Sequence, residues 1–207
     1  MIPPMGIIRR LAFGIFLMSI AGVLEARPIS YPGGSTVMLK QDSRVSSQYY
    51  HYSPSYNFSV GLENVNDQGI GERFSQIRAT YLVHRKNTAK SQRNFYVAVG
   101  LSPESSNHYS YGVHGDWESR RWYSGFSVQR KSVAGQSRNE QFIQLGVAPY
   151  LGNYGDFHTW LMMKVKHTEL SGSWDVYPML KFYQGDVLME IGYSRDNEWD
   201  VHLMYRF

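Results

Sequence analysis

The stretch Glu198-Trp199-Asp200-Val201-His202-Leu203-Met204-Tyr205-Arg206-Phe207 divides by alternate positions into two sets. Trp199, Val201, Leu203, Tyr205 and Phe207 form one; Glu198, Asp200, His202, Met204 and Arg206 form the other, polar apart from the methionine. Successive side chains of an extended chain point to opposite faces. The period therefore predicts a strand whose two faces meet different environments.

The same split recurs upstream. Tyr56, Phe58, Val60 and Leu62 oppose Asn57, Ser59, Gly61 and Glu63, and Ile77, Ala79, Tyr81 and Val83 oppose Gln76, Arg78, Thr80 and His84. Phe95 to Leu101, Tyr109 to Asp116, Ile143 to Ala148 and Val187 to Ser194 repeat it. Turn signals such as Asn66-Asp67-Gln68-Gly69, Lys86-Asn87-Thr88, Ala134-Gly135 and Gln184-Gly185-Asp186 separate the segments. They imply twelve antiparallel strands in up-and-down order, or ten if the first hairpin is misread. From Ser35 onward the chain allows about ten residues per strand, the length a tilted strand needs to cross a bilayer. Val65 to Arg73 and Lys131 to Asn139 read as the two longest connections, both at the end opposite the chain termini.

Of the 207 residues, 43% are hydrophobic, 15% aromatic and 18% charged, and the mean hydropathy is −0.39. A helical membrane bundle needs repeated apolar runs of about 20 residues, and one run alone comes near that. It lies at the start: Arg9 and Arg10 precede the almost wholly apolar Leu11 to Leu24, and Glu25-Ala26 precedes Arg27-Pro28. This predicts a signal peptide over 1–26, cleaved after Ala26, and a single domain over 27–207. The formal net charge of +4 is scattered and argues against nucleic-acid binding. The absence of cysteine removes disulfides, thiolate chemistry and Cys-based metal sites. No cofactor is expected.

The period alone fits a soluble periplasmic barrel as well as a membrane barrel. Three features favour the membrane. The polar face is rich in Gly, Ser, Ala and Asn, which suit a crowded lumen. Aromatics gather at segment ends, as in Tyr49-Tyr50, Trp117, Trp122-Tyr123, Tyr150, Tyr154, Phe157 and Trp174, where interfacial girdles belong. Sixteen Tyr, ten Phe and five Trp are also more than one small soluble core hides. The third feature is the terminal alternation, in which Trp199, Val201, Leu203, Tyr205 and Phe207 resemble the C-terminal assembly signal of bacterial outer-membrane β-barrel proteins. The resemblance implies an all-β transmembrane barrel in the outer membrane of a Gram-negative cell. Its implied partners are the barrel assembly machinery, outer-membrane lipid and lipopolysaccharide, and the chain is expected to be monomeric.

Inside such a barrel the parity places Arg78, Asp116, Lys164, Glu190, Asp200, His202 and Arg206. Both signs are interspersed, which predicts either a self-satisfied filling or a narrow channel for small solutes. His84, His114 and His158 share that parity with Met162 and Met204. Imidazole and thioether donors together suit copper, so metal handling is a second reading. An enzymatic reading, lipid hydrolysis, starts from Asn107-His108-Tyr109-Ser110. The His-x-Ser spacing resembles the outer-membrane lipid A 3-O-deacylase family, which would make Ser110 the nucleophile and His108 its base. The sequence departs from that family at Tyr111, where the family has Asn.

Overall fold

The computed structural model describes residues 29–151, 156–195 and 198–207, so the expected signal segment lies outside the described residues. Twelve strands follow in order: β1 (Ser35–Gln41), β2 (Val45–Ser55), β3 (Phe58–Asp67), β4 (Glu72–Asn87), β5 (Ser91–Leu101), β6 (Tyr109–Ser119), β7 (Trp122–Val133), β8 (Gln136–Val147), β9 (His158–Thr168), β10 (Trp174–Gln184), β11 (Val187–Ser194) and β12 (Glu198–Arg206). Each pairs antiparallel with its sequence neighbours, and β1 closes on β12. The first hairpin is intact from Ser35↔Tyr52 to Gln41↔Ser46, which excludes ten strands.

Alternation sets what faces where. In β10, Tyr177, Met179 and Lys181 are buried while Trp174, Val176 and Leu180 are exposed. The outward face forms an apolar belt including Leu62, Ile77, Val99, Val128, Ile143 and Leu145. Trp117, Trp122 and Phe157 lie outward toward one end, and Trp174 and Trp199 toward the other. A belt of this extent flanked by aromatics is the exterior of a transmembrane barrel. A soluble barrel would turn that face inward. Two expected girdle residues are instead interior: Tyr49 is buried beside the Arg78 guanidinium, 5.0 Å from its ring, and Tyr123 lies under the Lys181 ammonium at 3.7 Å. Tyr154 lies outside the described residues.

The connections differ from expectation. Val65 to Arg73 holds only a tight turn after Asp67, closed by Gly71 N–H donating to the Asp67 carbonyl at 2.8 Å. Lys131 to Asn139 is ladder almost throughout, joined by Ala134-Gly135 with both φ positive, 50° and 80°. Such a pair matches strand twist in a two-residue hairpin. The longest connection, Ala148 to Phe157, lies at the end of the termini. Polar residues on both faces of these segments resemble a loop in sequence, but strands can continue beyond the lipid, where both faces meet water.

The interior is packed most densely near the termini. Three apolar clusters occupy that half of the lumen: Met38, Tyr49, Leu188 and Met204; Ala148, Trp160, Met162, Tyr177 and Met179; and Ile29 with Leu82 and Tyr96. Ile29 belongs to the segment before β1, which is tied to the wall by Ser30 N–H donating to Ser53 Oγ at 3.0 Å. Close packing also explains Gly61. It sits opposite the fully buried His51, and a Cβ there would stand 1.8 Å from the Tyr50 carbonyl oxygen and 2.7 Å from the His51 Cβ. Gly61→Ala is therefore expected to destabilise the barrel by about 1–3 kcal/mol, the usual cost of overpacking. Urea unfolding followed by heat-modifiable gel mobility measures this, and an unchanged midpoint contradicts the packing described.

Candidate functional site

The middle of the lumen and its end away from the termini are lined by charges. Glu63 of β3 accepts from Gln76 Nε2 at 2.8 Å and faces Arg78 Nη1 at 3.3 Å. Gln76 in turn accepts from Ser110 Oγ at 3.1 Å. Lys164 of β9 meets Asp200 of β12 at 2.6 Å, and the same carboxylate accepts from the Tyr177 hydroxyl at 2.5 Å. Lys181 and His202 converge on Glu190 at 3.8 and 3.2 Å. Each of these carboxylates thus has two polar side chains facing it, at least one within hydrogen-bond distance, as buried charges require.

Nearer the far end, ion pairs cross the bore. Arg138 at the start of β8 binds Asp67 at the end of β3, and Lys166 of β9 meets Asp42 of the β1–β2 turn at 2.6 Å. Neither pair joins neighbouring strands, so both lace opposite parts of the wall together. Lys131 and Glu140, on adjacent strands, pair at 2.6 Å beside them. Two cavities of about 170 Å³ each remain. Their shared lining includes Lys40, Arg78, Phe142, Gln144, Glu190 and His202, which places those residues at the boundary between them.

The residues expected in the lumen, Arg78, Asp116, Lys164, Glu190, Asp200, His202 and Arg206, all face inward. Asp116 accepts from Asn94 Nδ2 at 2.7 Å, and Arg206 Nη2 meets Asp186 at 3.3 Å near the termini. Trp199, Val201, Leu203, Tyr205 and Phe207 face outward, as expected of the terminal strand. The same period missed Lys40, Asp67, Lys131, Arg138 and Glu140. The segments of the last four carry polar residues on both faces, so parity has no apolar reference there, while in β1 apolar Met38 shares the inward face with Lys40 and blurs the contrast with Val37 and Leu39.

The metal set does not assemble. A register shift between Leu82 and His84 in β4 resets the parity, so His84 pairs with the outward Phe95 and is exposed. His114 stacks on Tyr96 at 4.7 Å and His158 on Trp160 at 5.6 Å. Met162 packs in the cluster with Trp160 and Met179, whereas Met204 packs with Met38 and Leu188. The proposed donors are therefore spread over separate clusters. Among the described residues no group of three or more His, Cys, Asp or Glu is arranged to hold a metal ion.

The His108 and Ser110 pair is also unassembled. Ser110 donates to Gln76, while the His108 ring stacks on Phe74 at 4.5 Å and neither of its nitrogens has a hydrogen-bond partner. A nucleophile needs its base within hydrogen-bond reach and the base needs an orienting group. Neither contact is present.

No protein-family model matches the chain, and no curated protein does. Among solved structures, a KdgM porin in complex with disordered oligogalacturonate aligns over 84% of this chain and 99% of that one, with 9% identity and a TM-score of 0.50. A structure from work on in-meso crystallization of membrane proteins aligns over 84% of this chain and 83% of that one, with 12% identity and a TM-score of 0.45.

The cross-lumen pairs have a measurable consequence. Removing one member of a buried ion pair strands the other, at a typical cost of about 3–5 kcal/mol. Arg138→Met is expected to lower the unfolding free energy by a margin of that order, read from urea titration. Combining it with Asp67→Leu restores most of the loss; equal effects in the single and double variants contradict the pairing. The closed twelve-strand barrel, with its apolar exterior and charged lumen, has the fold of a porin-like membrane protein.

Proposed function

We propose that this chain is an exported outer-membrane barrel acting as a narrow channel for small solutes. The observation that carries the reading is charged open space inside the barrel: Lys40 faces the lumen, lines both cavities and is nevertheless exposed. A barrel filled only for structural reasons has no use for an ammonium without an ion-pair partner at its centre. The bore is restricted at both ends, by the ion pairs across it at one and by the apolar clusters at the other. A small, low-conductance path follows, in place of a wide pore.

The alternating terminal strand and the apolar leader support export and insertion by the barrel assembly machinery, with outer-membrane lipid and lipopolysaccharide around the belt. The similar KdgM porin was solved with an acidic oligosaccharide. Here the lumen cations are largely matched by carboxylates, which favours small solutes over a polyanion.

The test is planar-bilayer recording on the purified full chain, with fractionation of cells expressing it. The reading predicts recovery in detergent-extracted outer membrane and small, stable current steps. Absence of any current leaves a filled structural barrel, and recovery in the soluble periplasm overturns the membrane reading altogether.

A further inference from the structure

Within that channel reading, we infer that Lys40 is the residue that sets charge selectivity, favouring small anions. Lys40 lies one residue from the end of β1, on the inward face with the buried Thr36 and Met38. Its Cα partners are His202 of β12 and Ser47 of β2. The charged groups acting on it are Arg78, Glu63, Lys131 and Lys164.

What separates Lys40 from these neighbours is its lack of a partner. Arg78 is held by Glu63, Lys131 by Glu140 and Lys164 by Asp200. Their side chains are 13%, 25% and 9% exposed, whereas Lys40 is in the exposed class and has no carboxylate within 4 Å among the described residues. Paired charges cancel at short range, so a passing ion experiences them as dipoles. An unpaired ammonium acts as a net charge, and its field is strengthened by the low-dielectric wall around a narrow bore.

Position adds to this. Lys40 stands at the boundary shared by the two cavities, so a solute moving from one to the other passes it. Single-sign groups at a constriction govern selectivity in channels generally. Glu63 attracts Lys40 at longer range but is itself engaged by Gln76 and Arg78, so Lys40 has no counter-charge at ion-pair distance among the described residues. The solute class that fits is a small anion bearing carboxylate, phosphate or a halide charge.

The test is the reversal potential of the full-length protein in planar bilayers under a KCl gradient. Wild type and Lys40→Arg are expected to favour chloride, Lys40→Gln to lose the preference, and Lys40→Glu to invert it, moving the permeability ratio on the order of tenfold. Heat-modifiable gel mobility confirms that each variant is folded, and Lys40→Gln decides the matter if Lys40→Glu does not fold. A wild-type current whose selectivity none of the folded variants changes overturns the assignment to Lys40 and leaves the channel standing. Absence of any wild-type current overturns the channel, and this inference with it.

Discussion

The structure depends on a constraint imposed by the bilayer: no spanning backbone N–H or C=O can be left for water to satisfy. For strands the solution is closure, and here it is the antiparallel seam between β1 and β12, running from Thr36↔Arg206 to Gln41↔Val201. Ser35 and Phe207 extend that seam at the terminal end through paired bonds of 2.7 and 2.9 Å. Once the ladder is closed, the side-chain period of two has only two destinations. One set goes to lipid and the other goes inside.

That division explains the composition. The outward set carries most of the aromatic and aliphatic surface, so the mean hydropathy stays near zero although a whole face is apolar. The inward set must then fill a bore that lipid cannot enter. Near the termini it is filled by methionine, tyrosine and tryptophan; in the rest it is filled largely by carboxylates facing cations and polar donors. Charges spread over distant strands, such as Asp67 with Arg138 and Asp42 with Lys166, tie the wall across its interior. The same pairs narrow the path through it.

Much of the fold was legible because the period is simple and local. The strand count, the up-and-down order and the inward position of Arg78, Lys164, Glu190 and Asp200 all follow from alternation. What alternation could not show has three physical causes. A single irregularity between Leu82 and His84 shifts every later side chain of β4 to the other face, which is why His84 leaves the lumen. Strands that rise past the lipid lose the apolar face that marks parity, which hid Arg138, Glu140 and Lys131. Convergence across the bore is set by tilt and register, and so the histidines and methionines that shared a parity did not share a place.

In this barrel the apolar face meets lipid while the face carrying Lys40 meets water. The chain has no native cysteine, so single-site labelling reports it directly. Leu145→Cys and Lys40→Cys, each carrying an environment-sensitive bimane in liposomes containing nitroxide-labelled lipid, should separate cleanly. Strong quenching and blue-shifted emission are expected at position 145, against weak quenching by the lipid nitroxide and quenching by aqueous iodide at position 40. The reverse pattern, or equal iodide access at both positions, would contradict it.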